Sequence, residues 1–209
     1  MPGRAATERI ALADALTTVG PDAPTLCEGW TAADLAAHVY VREHRPDATP
    51  GVLPLGPWSS YTEKVMRSAL RVHGFAALVE AIRTAPPWLR IERVDDAVNT
   101  VEMFVHTEDV RRANGMPDRT HDDAFEAAVW RRLSRQARLS FRRVPAAVTL
   151  SPTGAGGAAG TQVGKGGPEV TVSGPPSELL LLAYNRKEHA HVTITGEGAE
   201  ALRAAKLGA

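Results

Sequence analysis

The chain has 209 residues, long enough to bury a core without covalent staples. Its 24 Lys and Arg balance 24 Asp and Glu, so it lacks the excess positive charge behind nucleic-acid and membrane-surface binding, and small-molecule work is favoured. Cys27 is the only cysteine, which excludes an internal disulfide and suits a reducing compartment.

The first residues, Met-Pro-Gly-Arg-Ala-Ala-Thr-Glu, carry charge where a secretory peptide needs an apolar run, and the longest apolar run anywhere is Leu179 to Tyr184. A cytoplasmic location is expected. Residues 5 to 18 read as an amphipathic helix with Ile10, Leu12 and Leu16 on its apolar side, stopped by Gly20-Pro21. Cys27-Glu-Gly-Trp30 forms a loop, and Glu28 beside Cys27 works against a thiolate, so Cys27 is expected to pack rather than react.

Thr31 can cap the second helix, with Asp34 three residues on in a capping-box arrangement. That helix carries His38 and ends before Pro46. From Arg45 to Trp58, four prolines and two glycines preclude a helix, and a loop of this length reads as a lid or binding loop. Helical patterning resumes over 60–83, with a break at Gly74, and ends at Pro86-Pro87. A fourth helix spans 95–113, acidic at its start and with Arg111-Arg112 at its end, as the helix dipole favours. Another runs over 122–142.

The texture changes after Val144. Residues 147–150 and 170–172 read as strands around a glycine-rich hairpin or loop. Pro176 starts a short helix, residues 190–195 alternate as a strand, and 197–206 form a terminal helix. The expected fold is α+β, a helical domain over 1–143 followed by a small α/β domain over 144–209.

Glu102 and His106 lie about one helical turn apart and project from the same side of their helix. At 100° steps they fall on the flank of an apolar arc formed by Ala97, Val98, Val101, Phe104 and Val105. Such a pair is either a surface i,i+4 contact or half of a metal site. His38, between Leu35 and Val41, is either a satisfied core histidine or the third ligand. Should the two helices be neighbours, His38, Glu102 and His106 make a two-histidine, one-carboxylate set, which suits zinc or non-haem iron. Asp34 and Asp109 are candidate outer partners for the imidazoles, although Asp34 is accounted for by capping and Asp109 could pair with Arg112.

Two further features carry less. Gly154 to Gly160 and Gly160-Thr-Gln-Val-Gly-Lys165 echo nucleotide-binding loops, but no helix follows and the spacing is wrong, so a flexible connector is expected. Arg131, Arg135, Arg138 and Arg142 form a stripe opposite Trp130, Leu133, Ala137 and Phe141. With Asp122, Asp123 and Glu126 upstream, it reads as a solvated face and only secondarily as an anion-binding surface.

Three segments, Cys27-Glu-Gly-Trp-Thr-Ala-Ala-Asp-Leu-Ala-Ala-His38, Val41-Arg-Glu-His-Arg-Pro-Asp47 and Asn99 to Ala113, resemble the mycothiol-dependent maleylpyruvate isomerase group of the DinB-like superfamily. The resemblance implies a DinB-like four-helix bundle that holds a divalent metal, usually zinc, through His38, Glu102 and His106. The tail, with Glu178 to Arg186 before a strand, looks like the sterol-carrier-like C-terminal domain of that group, and Arg186 matches a recurrent arginine there. Thr107 stands where relatives often have a second histidine, and Ala183-Tyr-Asn replaces a glycine-containing turn. The implied activity is a metal- and mycothiol-dependent isomerase or thiol transferase acting on a small electrophile, with the 45–58 loop bordering the pocket and a homodimer among the expected states. The alternative is a non-catalytic metal or small-ligand binder.

Overall fold

The computed structural model describes residues 3–45, 59–87, 92–154 and 158–208. The Arg45 to Trp58 loop lies outside them from residue 46 onward. Among the described residues six helices precede a four-stranded sheet, so the α+β class expected from the sequence is the one adopted. The chain forms two compact units, Met1–Asp118 and Arg119–Ala209. The line drawn at 143 follows the change from helix to strand, whereas the compact units follow what each helix packs against.

The first unit is helical: α1 (Arg4–Val19), α2 (Ala32–His44), α3 (Ser59–His73), α4 (Phe75–Thr84) and α5 (Glu92–Ala113). The break expected at Gly74 separates α3 from α4, and Gly74 takes a φ of 75° that other residues adopt only with strain. Leu12 and Leu16 of α1, Leu35 and Val39 of α2, Leu78 and Ile82 of α4, and Met103 and Val110 of α5 share one buried core.

Two local features fix how α2 and α5 are presented. Thr31 caps α2 by accepting from the Asp34 amide, while Asp34 accepts in return from the Thr31 amide, a reciprocal cap of about 1 kcal/mol. The loop before it folds back on α5: the Leu26 amide donates to the Asp109 carbonyl at 3.1 Å and Asn114 Nδ2 donates to the Pro24 carbonyl at 3.0 Å.

On α1 the expected apolar side is only partly right. Leu12 and Leu16 are buried, but Ile10 is 43% exposed and its neighbour Arg9 is 1% exposed. The reason lies in other helices, where Asp95 and Glu43 supply two carboxylates inside the bundle. Arg9 Nη2 meets Asp95 Oδ1 at 2.7 Å and Nη1 meets Glu43 Oε2 at 2.7 Å, so charge compensation replaces apolar contact at that position.

The second unit contains α6 (Asp123–Ser140), β1 (Ala147–Pro152), β2 (Thr161–Gly164), β3 (Glu169–Gly174), α7 (Pro176–Ala183), a 3₁₀ turn (Lys187–His189), β4 (Thr193–Thr195) and α8 (Ala199–Ala204). The strand order is β2-β1-β3-β4, with β1 and β3 parallel and the other pairs antiparallel. Residues 161–164, expected as connector, are a strand. Their short run is held by pairing with β1, Val148 opposite Val163. The chain must then pass from one side of β1 to the other within a few residues. Gly164, at φ 88°, makes this feasible: a Cβ there would lie 2.3 Å from the Ala146 carbonyl oxygen. Beneath the sheet, α6 buries Val129, Trp130, Leu133 and Ala137, as its apolar stripe predicts, and leaves Arg131, Arg135 and Arg138 exposed. Glu126 of α6 accepts from the Ser177 amide and hydroxyl, at 2.9 and 2.7 Å, at the start of α7. No helix among the described residues is long and apolar enough to cross a membrane.

Candidate metal centre

Helix α5 is buried along most of its length and still carries a polar line: Asp95, Asn99, Glu102, His106 and Asp109. Their spacing alternates four and three, which keeps them on one narrow strip of a helix. From α2, His38 and Arg42, four residues apart, face this strip. His38 Nε2 lies 3.7 Å from Glu102 Oε1, and Arg42 Nε lies 3.5 Å from the same oxygen. His106 Nε2 lies 3.2 Å from Glu102 Oε1. The three residues singled out from sequence are therefore brought together, with the two imidazoles edge to face at 5.2 Å between centroids. His38 and His106 are buried, and the Glu102 side chain, 25% exposed, fits the flank position read from the helix geometry.

Surrounding groups hold this arrangement. Asp109 Oδ2 lies 3.1 Å from His106 Nδ1, and the Asp109 side chain is fully buried. Of the two candidate outer partners, Asp109 takes that role and Asp34 serves only the cap. Arg112 is engaged elsewhere, donating to Glu108 at 2.8 Å. The Trp30 ring packs against the His38 imidazole at 4.9 Å. Beyond Glu102 the polar line continues, since Arg42 Nη1 donates to Asn99 Oδ1 and Asn99 Nδ2 donates to Asp95 Oδ1 at 2.7 Å. The Asp95–Arg9–Glu43 cluster closes it.

Cys27 packs against the core of the first unit, as expected, and its Sγ also lies 3.2 Å from Asp109 Oδ2. Together with His106 and Asp109 it forms a second group of close donor atoms that shares His106 with the first. The weak signal for this was the motif order Cys27 to Trp30 just ahead of the His38 helix. The backbone bond from the Leu26 amide to the Asp109 carbonyl holds the Cys27 loop against α5.

The titration of the site follows from these contacts. Burial disfavours charge on His106, but Asp109, Cys27 and Glu102 outweigh it and hold the imidazolium well above the ordinary histidine range. Burial likewise opposes the Glu102 carboxylate, yet hydrogen bonds from His106 and His38 hold its pKa well below the usual value. For His38 burial prevails over the bond to Glu102, and its pKa is lowered. The pocket thus favours positive charge between Glu102 and Asp109 and a neutral imidazole at 38. Two neutral imidazole nitrogens and a carboxylate are what a divalent ion of the zinc type takes as ligands.

In a tetrahedral shell with ligand bonds of 2.0–2.1 Å, neighbouring donors stand about 3.3–3.5 Å apart. The separations of 3.7 and 3.2 Å on either side of Glu102 Oε1 bracket that spacing. All donor atoms of the trio lie within 4.8 Å of one another. The donor set fits a divalent ion in type and in spacing.

Arg186, the other residue matched by resemblance, lies in the second unit, where Nη1 donates to the Tyr184 carbonyl at 2.5 Å. Asn185 just before it has φ 67°, so an asparagine provides the left-handed turn in place of the expected glycine.

No curated protein matches this chain. Among solved structures, the mycothiol-dependent maleylpyruvate isomerase is similar at 16% identity and TM-score 0.46, covering 94% of this chain and 91% of that one. A histidine-to-alanine mutant of that isomerase gives 15% identity and TM-score 0.47 over the same shares. Residues 3–52, the segment that carries α1, the Cys27 loop and the His38 helix, match the mycothiol maleylpyruvate isomerase N-terminal domain.

Proposed function

We propose that this protein binds one divalent metal ion, zinc by preference, through His38, Glu102 and His106, and that it acts as a thiol-dependent isomerase or S-transferase on a small electrophile. The single observation that carries the metal reading is the convergence of these side chains from α2 and α5, at 3.7 and 3.2 Å around one carboxylate oxygen. The match of residues 3–52 to a mycothiol maleylpyruvate isomerase domain supports the choice of a thiol, with mycothiol as the first candidate.

Three protein ligands leave coordination positions open, as catalytic rather than structural sites do, and a divalent ion there supplies the positive charge that lowers the pKa of a thiol near it. The chain's residues do the rest. Asp109 accepts from His106 Nδ1, which fixes the ring and turns Nε2 toward Glu102. His106 Nε2 and Glu102 Oε1, 3.2 Å apart, would both serve the ion. Trp30, packed on the His38 ring, fixes that imidazole and shields one side of it from water. Arg42 balances the Glu102 charge and draws it toward Asn99.

The test uses untagged full-length protein, since a histidine tag binds metal itself. Metal content is measured first, followed by turnover of a small electrophile such as a cis-configured unsaturated keto acid, with and without thiol. The expected result is one metal per chain and product formation that needs both metal and thiol and is lost in Glu102→Ala. Metal uptake unaffected by Glu102→Ala would overturn the site. Saturable metal binding without turnover under any thiol would overturn the enzymatic part and leave a metal-binding protein.

A further inference from the structure

The second unit carries a concavity unrelated to the metal trio, formed where the end of α6 meets β2 and the turn that follows it. Its volume is about 590 Å³, within the range of small-molecule sites. Arg138, Arg142 and Lys165 all line it, and no carboxylate does. We propose that this cleft binds a small organic oxyanion, a carboxylate or phosphate ester, gripped by Arg138, Arg142 and Lys165.

Charge is the first argument. In a chain with equal numbers of acidic and basic residues, three cations around one concavity are a local excess that repels itself. In the first unit Arg9 has Asp95 and Glu43 as partners and Arg112 has Glu108. Among the described residues, neither Arg138 nor Lys165 has a side-chain partner. Arg142 donates from Nη1 alone, to the Leu139 carbonyl at 2.9 Å and to the Gly208 carbonyl at 3.5 Å, and its other N–H groups are left for a ligand.

Placement is the second. Arg138 sits in the last turn of α6, and Arg142 is tethered to backbone carbonyls just beyond it. Lys165 is fixed from the opposite side, because its amide donates to the Val144 carbonyl at 3.3 Å and the strand before it is paired with β1. The tight turn at Gly164, enforced by the Ala146 carbonyl, holds Lys165 at the rim. An oxyanion reached by two guanidinium forks and an ammonium would accept several charge-assisted hydrogen bonds.

The lining also limits the ligand. Val163 and Ala147 give an apolar portion suited to a carbon skeleton, and Gln162 adds an amide that can donate or accept. A concave cleft suits a small anion better than a polyanion, which needs an extended basic track.

The experiment titrates inorganic phosphate and, separately, succinate into isotope-labelled full-length protein at constant ionic strength, with chloride as the control, and follows backbone amide shifts. Expected are saturable shifts centred on Gly164, Lys165 and Gly166, weakened about tenfold or more in Arg138→Gln/Lys165→Gln. Arg131→Gln/Arg132→Gln, on exposed positions of the same helix outside the cleft, should bind as the parent does. Stronger phosphate binding would identify a phosphate ester, and stronger succinate binding a carboxylate. The proposal is overturned by shifts that do not saturate, by equal weakening in the two double variants, or by a single-stranded oligonucleotide that outcompetes both anions. Circular dichroism and melting of the variants establish that they are folded, and Lys165→Gln alone repeats the test with the least disturbance.

Discussion

Asp109 touches no proposed metal-binding atom, yet it should govern metal affinity, and the structure says by how much and in which direction with pH. Its Oδ2 lies 3.1 Å from His106 Nδ1 and 3.2 Å from Cys27 Sγ, in a fully buried position. Asp109→Asn keeps the shape and an acceptor oxygen but removes the charge; Asp109→Ala removes the acceptor altogether. Losing such a partner costs about 10- to 100-fold in metal affinity, or about 1.4–2.7 kcal/mol, with the asparagine variant expected at the lower end and the alanine variant at the upper. The same carboxylate helps hold the His106 pKa well above the ordinary histidine value, so in the parent protein a proton competes strongly with the metal. Without Asp109 that proton is held less tightly. The affinity penalty should therefore be complete above the raised pKa of His106 and should shrink as pH falls below it. Zinc competition against a chromophoric chelator, run on untagged protein across a pH series, measures both features. Parent-like affinity in Asp109→Ala at high pH, or a penalty that grows as pH falls, would refute the orienting role.

Two further outcomes follow from the same groups. Removing Arg9 by Arg9→Met leaves Asp95 and Glu43 buried without their cation, and should destabilise the protein by about 3–5 kcal/mol, read as a midpoint shift in urea. In the metal-free protein the stabilisation from charged His106, with its pKa raised, is fully present below the unfolded value near 6.5 and is lost as pH rises through the folded one, whereas metal binding needs the neutral ring. The rise in melting temperature on adding zinc should accordingly be larger at alkaline than at acidic pH, and calorimetry in buffers of different ionisation enthalpy should show about one proton released per metal just below that pKa.

What could be read from the sequence was local. The i,i+4 spacing of Glu102 and His106 placed both on one side of a helix, and the Thr31/Asp34 cap was visible as residue types at fixed offsets. The stop at Gly74, the proline opening α7 and the apolar side of α6 are likewise properties of single segments. What was not legible depends on partners distant in the chain. Arg9 is buried beside an exposed Ile10 because Asp95 and Glu43 come from two other helices. β2 has too few residues to announce itself and exists through its pairing with β1. The packing of Cys27 is as expected, whereas its contact with Asp109 joins residues 82 apart and has no local signal.

The polar line on α5 explains why the candidate site stands where it does. A buried helix bearing Asp95, Asn99, Glu102, His106 and Asp109 on one strip must find a compensating group for each, or desolvation would unfold it. Arg9 satisfies Asp95, Asn99 links Asp95 to Arg42, and Arg42 reaches Glu102. At the other end Cys27 meets Asp109. Compensation thus arrives from both ends and meets at Glu102, His106 and His38, where two imidazoles approach one carboxylate oxygen that Arg42 also approaches. A purely structural network would have ended on a fixed cation such as the arginine at position 9. Ending on titratable nitrogens would leave a place where a proton and a metal ion are alternatives, and that exchange would separate the proposed binding site from a buried salt-bridge network.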